Sequence, residues 1–530
     1  MDRFFLVYTF VLLLTVGNNA FGQQPMLVEA WARTFGTDLP NEDYASSMAV
    51  APNGDVVVTG TSQNADQKRR WTTLKYSRSG ELLWERQIIV APYLDDIGRK
   101  VAVGRDGSVY AIADVRIDYG MYLETCNVGV VKFDSNGVEQ WRHEIGEGNG
   151  LNENVSAMAI DSTGNLLVIG VTIVSSGDLD IILTRFDQSG NVLWSTAYSE
   201  FDGGDVVRQI ALSADGTCFA VGYSSRFDSP SDALIIAFDA AGNKLWSETY
   251  NSPANDADAF VDVALDADGN VVAIGEARHY QFSNTDVMIF KYSQNGSRIW
   301  STLIPGPGGG NIIRPQTLAV NSHREIIVAG LLPISGSSVW DSFVRKYSPN
   351  GTLAWSYTNS HLGQTGNGSL SDIDIDGYDN VYLARGMAPR SSPSPCGGLI
   401  LKLDTMGELV WEKLYYQDLE HAYDSYLIDV DRYGRIVTAG LVSRFNGFDW
   451  HYDFLTLKLY QLLCGDVDGS GEVAIADAVF LVNYIFSSGP HPDPDSQADP
   501  DCTRVVNISD VVYLVNAIFQ GGPGPCTSCQ

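Results

Sequence analysis

Oxygen-bearing side chains recur at calcium-ligand spacing near the C-terminus of this 530-residue chain. Asp466, Asp468, Ser470 and Asp477 occupy positions 1, 3, 5 and 12 of a twelve-residue loop that has glycine at position 6. At position 7, the backbone carbonyl of Glu472 adds another oxygen. A hard cation such as Ca²⁺ takes several oxygen ligands around one point, and this spacing supplies them. The loop therefore predicts a calcium site.

A second loop of the same length spans residues 499–510. Arg504 stands where the first loop has its glycine, and a bulky residue is disfavoured where the backbone must be left-handed. We therefore expect the second site to be weak, distorted or supported by a disulfide. Its predicted ligands are Asp499, Asp501, Thr503, Val505, Asn507 and Asp510.

Each loop is followed by a copy of the same segment. Residues 475–486 recur as residues 508–519, an offset of 33, with eight of twelve positions identical. The apolar spacing predicts two short helices that bury each other. The predicted contact residues are Val479, Val482, Ile485 and Phe486, together with their counterparts Val512, Val515, Ile518 and Phe519.

Residues 464–526 resemble a type I dockerin, because loop, helix and duplication agree. The resemblance implies Ca²⁺ as the cofactor and a cohesin-like domain of a scaffold or surface protein as the partner. Positions 10 and 11 of each dockerin loop help choose that partner, and here they are Ile475 and Ala476, then Ile508 and Ser509. The two isoleucines form either an apolar docking patch or the core between loop and helix. Dockerin loops usually carry Asp or Asn at position 5, where this chain has Ser470 and Thr503.

Most of the chain is a repeat whose signature is Gly-x-x-x-Trp. The signature occurs seven times, from Gly80–Trp84 to Gly407–Trp411, and Trp31 shares its downstream context. The mean spacing is about 54 residues, and each unit contains four alternating segments separated by turns. Four strands per unit predict a propeller blade.

Eight tryptophan positions predict eight blades over residues 23–460, with seven as the alternative. The last unit supplies three strands, so we expect residues 27–35 to close the ring as its fourth strand. Residues 27–460 resemble the secreted bacterial β-propeller repeat family. The fold prediction is thus an all-β propeller plus a small α-helical, EF-hand-like domain at 464–526.

Other repeated side chains have mainly structural interpretations. We expect the tryptophans to pack between neighbouring sheets. A cation recurs near the end of the third strand of each unit except at Ala237, and it is either a functional ring or a strand-edge charge that also satisfies turns. The acidic segment 372–377 resembles a calcium loop, but its alignment with other units predicts alternation along a strand.

The N-terminus and the composition indicate export. Residues 1–22 have the pattern of a secretory signal peptide, and their apolar run is too short to span a bilayer. A net charge of −30 argues against nucleic acid or an anionic membrane as the partner. We expect one or two disulfides among Cys464, Cys502, Cys526 and Cys529, with the pairing open.

Three hypotheses about function follow. The first is an exported, non-catalytic propeller that displays a face for glycan or protein and is tethered by the dockerin-like module. The second is a propeller-type polysaccharide lyase or hydrolase delivered by that module. The third is a structural protein in which the module is an internal cap.

The sequence contains no recognisable catalytic motif. The blade signature is also similar to that of quinoprotein dehydrogenases, but the chain has neither an adjacent Cys pair nor a Cys-x-x-Cys-His sequence. We therefore predict no catalytic residues.

Overall fold

The repeats fold into eight four-stranded antiparallel sheets in the computed structural model. This confirms the predicted eight-bladed propeller, and the seven-blade alternative is wrong. The structure describes residues 26–525 apart from 37–42, 64–65, 67, 91–93, 120–123, 147–152, 174–177, 228, 280–283, 307–312, 334–339, 360–369, 388–396, 416–420, 432–433, 446–449, 463, 469–472, 488, 493–494, 504 and 521–524. The predicted signal peptide lies outside these residues.

The first four blades follow the chain in order after the first strand, β1 (Met26–Phe35). Blade 1 consists of β2 (Tyr44–Val50), β3 (Val56–Gln63), β4 (Arg69–Tyr76) and β5 (Leu82–Ile88). Blade 2 consists of β6 (Asp95–Val103), β7 (Val109–Tyr119), β8 (Glu124–Phe133) and β9 (Glu139–Ile145). Blade 3 consists of β10 (Glu153–Ile160), β11 (Leu166–Ile173), β12 (Leu179–Phe186) and β13 (Val192–Tyr198). Blade 4 consists of β14 (Asp205–Leu212), β15 (Cys218–Arg226), β16 (Ser229–Phe238) and β17 (Lys244–Tyr250).

The remaining blades continue the pattern, and the helices come last. Blade 5 consists of β18 (Asp258–Leu265), β19 (Val271–His279), β20 (Asn284–Tyr292) and β21 (Arg298–Ile304). Blade 6 consists of β22 (Arg314–Val320), β23 (Ile326–Pro333), β24 (Trp340–Tyr347) and β25 (Leu353–Asn359). Blade 7 consists of β26 (Leu370–Ile375), β27 (Val381–Met387), β28 (Gly397–Leu403) and β29 (Leu409–Tyr415). Blade 8 contains β30 (His421–Val430), β31 (Ile436–Phe445) and β32 (Trp450–Leu462), and the helices are α1 (Ile475–Ser487) and α2 (Ile508–Gln520).

The ring is closed by the two ends of the repeat region. β1 pairs antiparallel with β32, from Met26 opposite Leu462 to Phe35 opposite Phe454, and so becomes the fourth strand of blade 8. This confirms the predicted closure, which leaves no first-to-last sheet edge unpaired. The first strands of neighbouring blades contact each other, which places them innermost around the axis.

Each repeated tryptophan ties its blade to the next one. Trp84 packs against the turn before β9, where a methyl group added to Gly137 would lie 2.7 Å from the indole ring. Its Nε1–H donates to the backbone carbonyl of Ser135 in that turn, at 3.2 Å. Equivalent indole bonds to a backbone carbonyl are made by Trp31, Trp141, Trp194, Trp246, Trp300 and Trp355. The predicted packing of the tryptophans between sheets is confirmed.

The recurrent cations are buried partners of these tryptophans. Lys75 is paired across the strands with Trp84, and its Nζ donates to the same Ser135 carbonyl at 3.1 Å. A carbonyl oxygen has two lone pairs and can accept both donors. The same convergence occurs for Lys132, Arg185, Lys291, Lys346 and Lys458. The turn-satisfying role is confirmed, whereas the strand-edge and functional-ring interpretations are wrong because these side chains are buried between blades.

The junction between blades 7 and 8 uses a different acceptor. Blade 8 has no turn leading to its fourth strand, since that strand is β1. The side-chain oxygen of Gln461 takes the place of the turn carbonyl and accepts from Trp411 Nε1 at 2.9 Å and from Lys402 Nζ at 3.1 Å. The Gln461 amide nitrogen donates to Tyr382 Oη at 2.7 Å and to the Gly434 carbonyl at 3.0 Å.

The two C-terminal helices pack together, but only three of the eight predicted contact residues take part. Their buried core contains Ala478 and Leu481 from α1 and Val511 and Leu514 from α2, with Ile485, Val515 and Ile518 partly buried beside it. Val479, Val482, Phe486, Val512 and Phe519 are exposed instead. The buried and the exposed apolar side chains therefore lie on different faces of the two helices. Neither helix has the length and apolar character that a bilayer-spanning segment needs, and the described residues contain no helix that does.

We predict that alanine costs more stability at a glycine that faces a tryptophan ring than at one that does not, and blade 2 contains one glycine of each kind. Gly107 and Gly137 have similar left-handed φ angles of 80° and 77°, but only Gly137 faces a tryptophan ring. Gly107→Ala should lower the free energy of unfolding by about 1–2 kcal/mol through backbone strain. Gly137→Ala should add an overpacking cost of about 1–3 kcal/mol. If chemical denaturation gave the same loss in free energy of unfolding for both variants, the close contact between glycine and tryptophan would not contribute to stability.

Candidate metal centres

The first predicted calcium loop brings three carboxylates together. Asp466, Asp468 and Asp477 are buried, and they offer oxygens that lie within 4.8 Å of one another. Asp477 is the third residue of α1 and holds the loop against the start of the helix. Its Oδ1 accepts from Val467 N–H at 2.6 Å and Asp468 N–H at 3.0 Å, and its Oδ2 accepts from Ala474 N–H at 2.7 Å.

The electrostatics of this group suit a divalent cation. Burial, followed by the charges of Asp466 and Asp468, raises the pKa of Asp477 to about 9. Three buried carboxylates at this separation repel one another when ionised, and a bound cation removes that repulsion. Carboxylate oxygens are also the donors that Ca²⁺ prefers. The residues present therefore fit the predicted ion.

The second loop gathers a similar set. Oxygens of Asp499, Asp501 and Asp510 also lie within 4.8 Å of one another. Asp510 is fully buried, and while its Oδ2 accepts from Asn507 N–H at 2.8 Å, its Oδ1 has no hydrogen-bond partner. Burial is the main cause that raises the pKa of Asp510 to about 6. A buried carboxylate oxygen without a partner is costly, and a cation at this point would satisfy it.

The other predicted ligands are placed as follows. Ser470 and Glu472 lie outside the described residues, as does Arg504, which stands in place of the loop glycine. The backbone N–H of Thr503 donates to Asp499 at 2.9 Å and to Asp501 at 3.1 Å. The left-handed backbone of this loop includes Cys502, with φ of 59°. The carbonyl of Val505 accepts from the side-chain amide of Asn507 at 2.9 Å.

The four predicted partner-binding residues all lie on the surface. Ile475, Ala476, Ile508 and Ser509 are exposed at the start of the two helices. The isoleucines are 48% and 49% exposed, so the alternative that they form the core between loop and helix is wrong. These isoleucines and the exposed residues Val479, Val482, Phe486, Val512 and Phe519 are together named here the helical face.

Two of the four C-terminal cysteines are in disulfide linkage. Cys464 and Cys502 are both disulfide-bonded, in keeping with the disulfide prediction for this region. Cys126 and Cys218 are buried in the propeller, and neither forms a disulfide. Burial raises the pKa of Cys218 to about 12, which suits an unreactive core thiol.

The first loop also contacts the propeller, which the sequence did not predict. The side-chain amide of Gln497 donates to the Gln461 carbonyl at 2.6 Å, and the Gln497 carbonyl accepts from Gly465 N–H at 3.0 Å. The hydroxyl of Tyr378, in the turn after β26, lies 3.5 Å from the carbonyl oxygen of Asp468. Burial and the Asp468 charge raise the pKa of Tyr378. These residues share no motif, and only the fold brings them together.

A second group of carboxylates lies on the innermost strands. Asp372 and Asp374 alternate along β26, which confirms the strand prediction for this segment. Each reaches the next blade, where Asp372 accepts from Ile428 N–H at 3.2 Å and Asp374 accepts from Val430 N–H at 2.6 Å. Asp262 makes the equivalent bond between blades 5 and 6, to Leu318 N–H at 2.8 Å. These bonds cap backbone groups on the inner strand edges.

Burial raises the pKa of each of these inner carboxylates. The values are about 8 for Asp372, about 7 for Asp374 and about 6 for Asp262 and Asp429. Neighbouring carboxylates add to the effect at Asp372, and Lys100 opposes it at Asp262. The inner strands of blades 5, 7 and 8 therefore hold acids that titrate near neutral pH.

Comparison with known families identifies the propeller. Residues 29–342 match the PQQ_2 family model, described as outer membrane protein assembly factor BamB, and this match spans more than half of the chain. The chain belongs to this family. The matched region ends at residue 342, in blade 6, so it includes neither the last two blades nor the C-terminal module. A comparison with the curated proteins gives no match.

Solved structures match this chain only at low similarity. The WD40 domain of SCAP from fission yeast is 8% identical, with a TM-score of 0.44, over 83% of this chain and 98% of that one. A protein of unknown function from Dyadobacter fermentans is 9% identical, with a TM-score of 0.37, over 82% of this chain and 99% of that one. A protein of unknown function from Bacteroides caccae is 12% identical, with a TM-score of 0.32, over 54% and 89%. We draw no conclusion about function from these values.

We predict that this BamB-family propeller loses stability as pH rises from 5 to 8. The unfolded state ionises Asp372 near pH 4, whereas the folded state keeps it protonated up to about pH 8. The difference lowers the free energy of unfolding throughout that interval. Because Asp372 is partly exposed, we expect about 1–2 kcal/mol from this residue.

The check is chemical denaturation of the wild type and Asp372→Asn at both pH values. The variant, whose amide oxygen can still accept from Ile428, should lose less stability between pH 5 and pH 8. Asp202→Asn removes one charge at an exposed position and serves as the control. An unchanged pH dependence in Asp372→Asn would contradict the assignment.

Proposed function

We propose that this protein is an exported, non-catalytic β-propeller that is tethered through a calcium-binding, dockerin-like module to a cohesin-like domain on a scaffold or surface. The observation that carries the proposal is the duplicated loop–helix unit, in which each loop gathers three carboxylates at the start of its helix. The propeller presents a binding face for glycan or protein, in keeping with a family described by an assembly factor.

Two sites for Ca²⁺ are supported by the donor sets. Asp466, Asp468 and Asp477 would hold the first ion, and Asp499, Asp501 and Asp510 the second. When bound, Ca²⁺ supplies the positive charge that lets these carboxylates ionise close together. The free oxygen of Asp510 supports an ion in the second loop despite the missing glycine.

The helical face supports the tether. Equivalent residues are exposed on both helices, as Val479 and Val512 are each 53% exposed and Phe486 and Phe519 are 66% and 65% exposed. This surface remains exposed while the first loop contacts the propeller. An apolar surface of this kind marks a protein-binding site.

A catalytic role receives no support from the carboxylates that the structure brings together in the propeller. Asp262, Asp372 and Asp374 each cap a backbone N–H of the neighbouring blade. We therefore assign them to the joining of blades. The lyase or hydrolase hypothesis would be restored by activity on a polysaccharide panel that a single substitution abolishes.

Calcium binding is tested by two matched substitutions at position 3 of the loops. The full chain should bind two Ca²⁺ ions in isothermal titration calorimetry. Asp468→Asn and Asp501→Asn each remove one ligand charge and should weaken their own site by about 10-fold or more. Retention of full affinity in both variants, or a wild-type chain that binds no Ca²⁺, would falsify the metal assignment.

The tether is tested on the helical face. Recombinant type I cohesin domains serve as the probe in surface plasmon resonance with Ca²⁺ present. Combined Val479→Asp and Val512→Asp should weaken binding by about 30-fold or more, because they place charge in an apolar contact. Val138→Asp, at a propeller position that is 55% exposed, should not change it. The proposal fails if the two chains bind equally.

A further inference from the structure

The junction between blades 7 and 8 depends on one side chain that the C-terminal module also contacts. The side-chain oxygen of Gln461 accepts hydrogen bonds from Trp411 and Lys402. At six other junctions, the equivalent tryptophan and cation donate to a backbone carbonyl in a turn. Its own backbone carbonyl accepts from Gln497, and Gln497 is almost fully buried. Gln461 therefore belongs both to the closing seam of the ring and to the attachment of the module.

A short chain of hydrogen bonds joins this seam to the first metal loop. Gly465, whose N–H donates to the Gln497 carbonyl, directly precedes the first ligand, Asp466. On the other side of the loop, the carbonyl of Asp468 lies beside Tyr378 of blade 7. An ion that fixes Asp466 and Asp468 would also fix the Asp468 carbonyl beside Tyr378 and the neighbouring Gly465 N–H, which bonds to Gln497 and through it to Gln461.

We propose that the first calcium loop is a clamp for the closing seam, so that Ca²⁺ bound there stabilises the whole propeller. The proposal rests on the calcium site of the proposed function and is independent of any tethering partner. The ring needs such a clamp at this junction more than elsewhere. At the other junctions the acceptor is a turn within a continuous chain, whereas here it is an amide side chain at the end of β32.

The tryptophans provide a readout for the propeller alone. All eleven lie between residues 31 and 450, so intrinsic tryptophan fluorescence does not report unfolding of the C-terminal module. We expect Ca²⁺, at roughly 100-fold above its dissociation constant, to raise the fluorescence-detected melting temperature of the full chain by about 2 °C or more relative to chelator.

Loop variants separate the two metal sites. Asp468→Asn should abolish most of the calcium-induced shift, because it weakens the loop that contacts the seam. Asp501→Asn should preserve the shift while it reduces calcium binding at the other loop. An equal shift in both variants would overturn the assignment to the first loop.

Contact variants separate binding from coupling. Gln497→Ala should retain calcium binding in calorimetry but lose at least half of the calcium-induced melting shift. Gln140→Ala, at an exposed position on β9, is the matched control and should keep the shift. If Gln497→Ala does not fold, Tyr378→Ala tests the second contact, since Tyr378 lies on a turn and is 38% exposed.

The outcomes distinguish this proposal from the proposed function. Calcium binding without a change in the tryptophan-detected melting temperature overturns the clamp and leaves the metal sites intact. A chain that binds no Ca²⁺ overturns both the clamp and the metal assignment. Failure to bind cohesin domains, together with a normal calcium-induced shift, supports the clamp and overturns only the tether.

Discussion

A tryptophan indole N–H and a buried cation meet on one turn carbonyl at most blade junctions, and the rest of the propeller depends on this contact. The acceptor turn must approach the indole ring so closely that glycine is required, which explains why Gly and Trp recur together. The cation is brought to the same oxygen because it faces the tryptophan across the third and fourth strands, as Lys75 faces Trp84. Each blade thus supplies the donors for the next blade and the acceptor for the previous one. Blade 4 has Ala237 in place of the cation and relies on the indole of Trp246 alone.

Closure of the ring by β1 leaves the junction between blades 7 and 8 without a turn carbonyl as acceptor, and this exception affects the whole chain. Because the fourth strand of blade 8 comes from the N-terminus, no turn is available there to accept from Trp411. Gln461 replaces it with an amide oxygen and at the same time receives a bond from Gln497. The C-terminal module is therefore attached where the repeat is incomplete. Its first predicted calcium loop lies at this attachment, while its helical face stays exposed.

The acid excess of the chain has several separate structural uses. Turn aspartates such as Asp134 accept backbone N–H groups within the hairpins. Inner-strand aspartates such as Asp372 reach the neighbouring blade and have raised pKa values because they are poorly solvated. The six carboxylates of the C-terminal loops are grouped as metal ligands would be. The net charge of −30 includes all three groups of aspartates and does not distinguish their roles.

The sequence by itself determined the features that depend on regular spacing. The Gly-x-x-x-Trp period predicted eight blades, the missing last strand predicted closure by the N-terminus, and the 33-residue duplication predicted two loop–helix units. Such patterns depend on regular spacing along the chain, so they can be recognised without knowledge of the fold. Only the tertiary structure decided which groups meet across the ring. It buried the cations between blades, turned Val479 and Val512 outward, and placed Tyr378 beside the first predicted calcium loop. These outcomes depend on contacts between segments that are far apart in the sequence and share no repeat. Helix packing and ring closure, rather than sequence periodicity, decide which of these segments meet.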